Sequence, residues 1–190
     1  MTSSIAIATP STATTATTTW DIDPAHSMAE FKIRHMMIAW VRGEFSGLSG
    51  VLNLDQSDYT QSIVEASIPA ASLRTVDAQL DAHLKNADFF DVENFPTATF
   101  TSTGMREDND KYALDGEFCL RGVTKPITLR LDFFGVSPGM GKGEVAGFEA
   151  TVALSRKDFG VLTDTPIIAG GALLGDAVDI TIEVEALRTA

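Results

Sequence analysis

The sequence contains one cysteine, few basic residues and no long apolar run, and each shortage excludes a class of protein. Because Cys119 is the only cysteine, no disulfide can form within the chain, which is typical of a reducing compartment. Lys and Arg number 14 against 26 Asp and Glu, giving a formal net charge of −12. Nucleic acid and anionic lipids both need clustered basic side chains, so we expect no nucleic-acid partner. No segment approaches the roughly 20 apolar residues of a transmembrane helix, so we expect no stable membrane insertion.

Basic residues are also missing from the start of the chain. Residues 1–19 contain no Lys or Arg and are rich in Ser, Thr and Ala. They lack the charged start and the continuous apolar core of a secretory signal, so the sequence predicts a cytoplasmic protein. They are too poor in large apolar groups to offset the entropy of ordering, which predicts a disordered tail. The remaining residues, 20–190, suit one domain that buries a core or encloses a cavity.

Alternation of apolar and polar residues dominates that domain. The first run places one set on each face of a strand: Ala29, Phe31, Ile33 and His35 against Glu30, Lys32 and Arg34. Similar extended runs follow over 41–55, 61–69, 97–105, 112–121, 126–135, 145–154 and 177–187. About eight strands with one apolar face each fit either a sandwich or a barrel. Short connections and a near-uniform meander favour an all-β, extended eight-stranded antiparallel barrel, in which closure removes edge strands.

Two connections between these runs have distinct compositions. The apolar stretch 36–40 fits a short helical turn, while the polar stretch 106–111 predicts a hairpin turn.

The segment 75–96 departs from the alternating pattern. Four of its apolar residues recur at helical spacing: Val76, Leu80, Leu84 and Ala87. The spacing predicts a helix with Thr75 as its N-cap and with an ion pair between Asp81 and Lys85. Phe89 and Phe90 follow the helix. We expect this helix and its aromatic exit to cap one end of the barrel.

Catalytic and metal-binding motifs are weak throughout. The glycine-rich stretch 137–143 lacks the Ser or Thr and the following helix of a P-loop, and the spacing of His26, His35 and His83 is unlike a zinc signature. We expect no metal, no resident cofactor and no catalytic residue. His35 points inward with Phe31 and Ile33, where an imidazole needs a partner. Three interpretations stay open: a hydrogen-bonded core residue, a contact to the polar head of a ligand, or a metal-binding or catalytic group.

Four blocks along the chain resemble the YceI-like family. They are 20–27 followed by Phe31 and His35, 83–91 with 95–96 and Phe100, 120–127, and 155–160 with 175–176. One departure is Leu80, where family members often carry an Arg. The resemblance implies an extended, lipocalin-like barrel that binds a long apolar molecule along its axis, such as a polyisoprenoid or a fatty-acid-derived amide. It also implies a role in carriage, storage or protection, and a homodimer in many members.

The inward faces, read with this resemblance, predict twelve ligand-binding residues: Phe31, Ile33, His35, Phe45, Phe89, Phe90, Phe118, Leu129, Phe133, Phe148, Val152 and Ile182. A one-residue error in register would move an entire strand's set to the outside. Two other functions stay open. One is an interaction or stress-related module with a packed core, and the other is an enzyme acting on an isoprenoid, with His35 as its inward titratable group.

Overall fold

The computed structural model describes residues 17–141, 143–162 and 173–189, which form a sheet of eleven strands with one α-helix. The strands are β1 (Thr17–Ile22), β2 (Met28–His35), β3 (Ala39–Ser46), β4 (Ser49–Asp55), β5 (Ile63–Pro69), β6 (Arg74–Thr75), β7 (Thr97–Asp108), β8 (Lys111–Leu120), β9 (Val123–Ser137), β10 (Val145–Ser155) and β11 (Leu174–Arg188). The helix, α1, spans Ala78–Lys85, and short 3-10 turns occur at Tyr59–Gln61, Ala70–Ser72 and Arg156–Phe159. Within the described residues, no helix is long and apolar enough to cross a membrane.

Eight strands close into a barrel. Their order is β1, β4, β5, β7, β8, β9, β10 and β11, and pairing of β1 with β11 completes the ring. Every neighbouring pair is antiparallel. The predicted fold class, an eight-stranded antiparallel barrel with a capping helix, is therefore confirmed.

The strands β2, β3 and β6 lengthen the wall of the barrel. β11 pairs with β1 near its end and with β2 along its earlier part, so one long strand meets two short ones. The segment between β1 and β2 contacts β11 at Glu185. The carbonyl of Glu185 accepts from the amide of Asp23 at 2.8 Å and from Oγ of Ser27 at 3.2 Å. β3 pairs with β2 on one side and with β6 on the other. The wall thus extends past the closed ring.

The first strand begins at Thr17, three residues before the predicted start of the domain. Trp20 is fully buried, and its indole N–H donates to Oγ of Thr18 at 2.8 Å. Thr18 in turn donates to the carbonyl of Leu54 on β4 at 3.3 Å. A buried tryptophan needs a hydrogen-bond acceptor, and Thr18 provides it for Trp20. Residues 17–19 therefore belong to the barrel wall. The rest of the predicted tail, 1–16, lies outside the described residues.

The helix is shorter than the spacing predicts. Asp77, not Thr75, is the N-cap, and its carboxylate accepts from the amide of Gln79 at 2.8 Å. Thr75 belongs to β6, and its amide and hydroxyl donate to Asp81 at 2.6 and 2.7 Å. The carboxylate of Asp81 therefore bonds to Thr75 and makes no direct ion pair with Lys85, although the charge of Lys85 helps to lower the pKa of Asp81.

The apolar stripe of the helix is correspondingly narrower. Leu84 is buried and Leu80 half-buried, as predicted. Val76 is fully exposed, because it precedes the helix, and Ala87 is exposed because it follows the end of the helix. Only the two leucines have the helical geometry that the spacing assumed.

The two connections noted above also differ from expectation. The stretch at 36–40 is a tight hairpin turn rather than a helical one: Met36 and Met37 have φ of 50° and 62°, and the amide of Ile38 donates to the carbonyl of His35 at 3.1 Å. The hairpin at 106–111 narrows to two residues, because Asp108 pairs with Lys111.

Candidate ligand-binding cavity

The barrel encloses a cavity of about 440 Å³ whose walls are almost entirely apolar. This volume falls within the range of about 300–1,000 Å³ that small-molecule sites usually occupy. Ten of the eleven strands and the helix contribute to the wall. Two glycines provide space for the rings that line it. A Cβ on Gly43 would lie 2.5 Å from the ring of Phe31, and one on Gly116 would lie 2.3 Å from the ring of Phe100.

The cavity is long for its volume. Along β11 its wall runs from Leu174 to Val184, eleven residues whose ten steps span about 33 Å of strand. A strand tilt of about 35–45° leaves roughly 25 Å along the barrel axis. A volume this small spread over that length makes a narrow tube. Such a tube fits a chain better than a compact ligand.

Eleven of the twelve residues predicted from the sequence line this tube: Phe31, Ile33, His35, Phe45, Phe89, Phe90, Phe118, Leu129, Phe148, Val152 and Ile182. The register inferred from alternation therefore matches the structure on each strand that carries them. Their contact with a ligand stays a prediction.

Phe133 is the exception, because it lies outside the lining. It belongs to an aromatic column that fills one end of the barrel, hereafter the closed end. Its ring stacks on Phe148 with centroids 4.9 Å apart and contacts Tyr59 at 5.1 Å, and Tyr59 contacts Tyr112 at 6.3 Å. Phe133 pairs with Phe148, and the register between β9 and β10 shifts only beyond this pair, between Gly147 and Phe148, so Phe133 keeps the inward face that alternation predicts. Burial raises the pKa of Tyr112, so this phenol stays neutral.

The other end, hereafter the lid end, carries α1 and the segment that follows it. Phe90 meets Phe45 edge-on with centroids 5.5 Å apart, and Phe45 contacts Phe31 at 5.7 Å. Phe89 and Leu84 are buried in the same cluster. Helix and aromatic exit therefore cover one end of the barrel, as predicted.

Two arginines join the loops of the lid end. Arg121 donates to the carbonyls of Ala87 and Gly160, both at 2.7 Å. Arg156 is only 6% exposed and lines the cavity, and it donates to the carbonyl of Val161 at 2.6 Å and to that of Gly175 at 2.9 Å. Sequence reasoning missed Arg156 as a site residue. The signal was its place in the block 155–160, one of the four that carry the family resemblance.

The three histidines separate into two environments. His35 and His83 are among the residues that line the cavity, although His83 is largely exposed, whereas His26 is exposed and outside the lining. His35 is half-buried, and its imidazole makes no hydrogen bond to another residue of the described chain, which argues against the hydrogen-bonded core interpretation. Nδ1 of His26 lies 3.0 Å from the carboxylate of Asp23 and 3.5 Å from that of Glu185. His26 is therefore an outer-wall residue that pairs with acids.

Sequence reasoning also missed a set of apolar lining residues on β3, on β4 with the turn before it, and around the lid: Val41, Leu48, Leu52, Leu54, Phe159, Val161 and Leu174. Leu52 and Leu54 alternate with polar neighbours, so the signal was present. Gly43, Gly47 and Gly50 interrupt the alternation in the same stretch.

Known proteins are similar to this chain in sequence or in fold. A family model described as the YceI-like domain matches residues 20–186. Protein YceI of Escherichia coli O157:H7 is 34% identical over 171 residues, which cover 88% of this chain and 85% of that protein. The crystal structure of a Campylobacter jejuni YceI protein is 31% identical with a TM-score of 0.69, and the match covers 83% of this chain and 90% of that one. A polyisoprenoid-binding domain from Saccharophagus degradans, implicated in plant cell wall breakdown, has a TM-score of 0.67. It is 12% identical, with 92% of this chain and all of that one covered, so the likeness is one of fold.

Proposed function

The chain belongs to the YceI-like domain family, and from this premise we propose that it binds one long apolar molecule inside its barrel, a polyisoprenoid or a fatty-acid-derived amide. The observation that carries the proposal is the narrow apolar tube of about 440 Å³. Because the Saccharophagus degradans domain is similar in fold alone, the ligand class for this chain rests on the shape and lining of the tube and on the family.

Burial of the chain would provide most of the affinity. Each methylene removed from water contributes about 0.8 kcal/mol, so ten such groups contribute about 8 kcal/mol before the costs of association. Few polar contacts are therefore needed. The binding role that follows is carriage, storage or protection of a molecule that water would otherwise exclude.

The polar head of the ligand would lie at the lid end. His35 and His83 are among the lining residues there, whereas Leu54, Leu131 and Phe148 line the tube toward the closed end. A head group can hydrogen-bond to His35, which makes no bond within the described chain. The apolar tail then extends toward Phe148.

The two competing functions fit these observations less well. A module with a packed core does not require a tube along its axis. For an enzyme, His35 would have to act with another group, and the structure shows no carboxylate hydrogen-bonded to it among the described residues. Family membership likewise favours a binding protein over an enzyme. Turnover of an isoprenoid that is lost in His35→Ala would favour the enzyme. The homodimer is still a prediction, and light scattering would test it.

Mass spectrometry of the extracted protein tests the proposal, with a matched pair of variants on β10. Val152 lines the tube, while the side chain of its neighbour Ala153 is on the outer face. We expect purified protein to release an apolar compound, Val152→Trp to release much less because the indole fills the tube, and Ala153→Trp to release a normal amount. Repeated extraction without an apolar compound, or equal amounts from both variants, would contradict the proposal.

A further inference from the structure

The hairpin that joins β2 to β3 ends in three exposed apolar residues, Met36, Met37 and Ile38, hereafter the apolar tip. Their exposed fractions are 40%, 61% and 81%. Three consecutive large apolar side chains in water are unfavourable, and these three lie together in the turn between β2 and β3.

The backbone of this turn does not explain the two methionines. Met36 and Met37 both have positive φ, the geometry of a type I′ hairpin turn, which strongly favours Asn-Gly. Methionine is unfavourable in that conformation because its Cβ crowds the following carbonyl. The residues at the apolar tip are therefore suited to what their side chains contact and not to the turn itself.

The hairpin is also locally basic. No Asp or Glu occurs from residue 31 to residue 43, and this stretch contains Lys32, Arg34 and Arg42 in a chain whose net charge is −12. Lys32 pairs with Asp179 at 3.5 Å, while Arg34 and Arg42 make no ion pair with any residue of the described chain.

A tryptophan near the apolar tip lies beside two of these cations. The guanidinium of Arg34 lies 3.9 Å from the ring centre of Trp40, and the ammonium of Lys32 lies 5.3 Å from it. Apolar residues at the end, an aromatic ring behind them and cations at its side follow the order of groups across a membrane interface.

The base of the hairpin continues into the wall of the cavity. His35 and Val41 flank the apolar tip and line the tube. The amide of Met36 donates to the carbonyl of Leu173 at 2.8 Å, and Leu173 lines the tube too. A surface that bound the apolar tip would therefore lie next to the cavity.

We propose that the apolar tip docks the barrel on a lipid bilayer that contains anionic lipids. Met37 and Ile38 enter the boundary between head groups and acyl chains, Trp40 lies at the interface, and Arg34 and Arg42 contact lipid phosphates. Repulsion from the acidic remainder of the protein is screened beyond about 8–10 Å at physiological salt, whereas the cations of the hairpin are in contact with the surface. Docking here goes beyond ligand binding, and only its role in ligand exchange rests on the proposed function.

The chain provides its own reporter for the test. It has two tryptophans, of which Trp20 is fully buried and Trp40 is at the hairpin. Flotation with vesicles of phosphatidylcholine, with and without phosphatidylglycerol, measures binding, and quenching by brominated lipids measures the depth of Trp40. We expect binding that rises with phosphatidylglycerol, together with strong quenching of tryptophan emission.

Substitutions at the apolar tip distinguish a role in lipid contact from a role in stabilising the hairpin. The double variant Met36→Asn, Met37→Gly suits the turn, so we expect its Tm to rise by roughly 4 °C while its vesicle binding falls about tenfold. Arg34→Gln should weaken binding to anionic vesicles by about fivefold. Phe134→Ser, which removes a 70% exposed ring from β9, is the matched control and should bind as the parent does.

Four results would overturn the proposal: no flotation of the parent protein, unquenched tryptophan emission, normal binding by the double variant, or an equal loss in the Phe134→Ser control. A dimer that forms through the tip, and that the double variant abolishes without vesicle binding in the parent, would also overturn it. Val152→Trp separates the two proposals, because it should lose the cavity ligand and still bind vesicles.

Discussion

The closed end and the lid end of the barrel are both filled by aromatic rings, but the rings are supported differently. At the closed end, Phe133, Phe148 and Tyr112 belong to β9, β10 and β8, whose backbones are paired on both sides, and Tyr59 belongs to the 3-10 turn that follows β4. At the lid end, Phe90 follows a helix of eight residues, and backbone hydrogen bonds and the Arg121 contact hold the segment around it.

Because of this difference, we expect the closed end to stay shut and the lid end to open. Rings fixed to paired strands can separate only when the sheet itself opens. Rings on a short helix and its exit can separate by local unfolding, which requires less free energy than unfolding of the whole barrel. We therefore expect the ligand to enter and leave at the lid end.

The largest effect should follow removal of a ring at the closed end. Phe148 is 7% exposed and stacks on Phe133, so Phe148→Ala leaves a cavity inside the barrel. We expect a loss of about 4 kcal/mol in the free energy of unfolding, measured by chemical denaturation. A loss below about 1 kcal/mol would mean that the closed end is not tightly packed.

The second effect concerns the arginine that joins the lid to the barrel. Arg121→Met keeps the apolar stem but removes donors from the carbonyls of Ala87 and Gly160. We expect a loss of about 2 kcal/mol, since those carbonyls lose charged partners. Hydrogen exchange should accelerate over 78–95 and stay unchanged in β8 to β10. Equally faster hydrogen exchange in all parts of the barrel would contradict local opening of the lid end.

The third effect should appear in ligand retention more than in stability. Phe90 is half-buried, and its ring meets Phe45 edge-on. Phe90→Ala should reduce the free energy of unfolding by about 1 kcal/mol, and release of a bound apolar probe should become about tenfold faster. Stopped-flow transfer to vesicles measures the release rate. An equal proportional loss of stability and retention would make Phe90 an ordinary core residue.

Much of this architecture could be predicted from the sequence, because strand alternation has a fixed period. The sets that begin with Phe31 on β2 and Ile182 on β11 face the cavity as predicted, since each strand keeps its register over its apolar run. The aromatic exit at Phe89 and Phe90 was also placed correctly. Such features depend on residue order within one element.

The remaining features depend on contacts between distant elements. Phe133 pairs with Phe148 and keeps the predicted inward face, but its ring packs against Phe148 and Tyr59 rather than lining the tube, and no pattern within β9 indicates those contacts. Arg156 is buried because carbonyls of Val161 and Gly175 converge on it, which composition does not show. The cluster of Lys32, Arg34 and Arg42 was hidden by the net charge of −12, since an average over the chain conceals a local excess.

The smallest expected effect is on the thermal stability of the lid at acidic pH. The hydroxyl of Thr75, followed by its amide, holds the pKa of Asp81 below the usual range. A lowered folded-state pKa contributes stability above the unfolded value, near pH 4, and that contribution is lost as pH falls through the folded pKa. We therefore expect Asp81→Asn to flatten the fall of Tm below about pH 5, and Thr75→Val to flatten it partly. Scanning calorimetry from neutral to acidic pH measures both slopes. Parallel curves for Asp81→Asn and the parent would mean that the bond between Thr75 and Asp81 does not stabilise the lid.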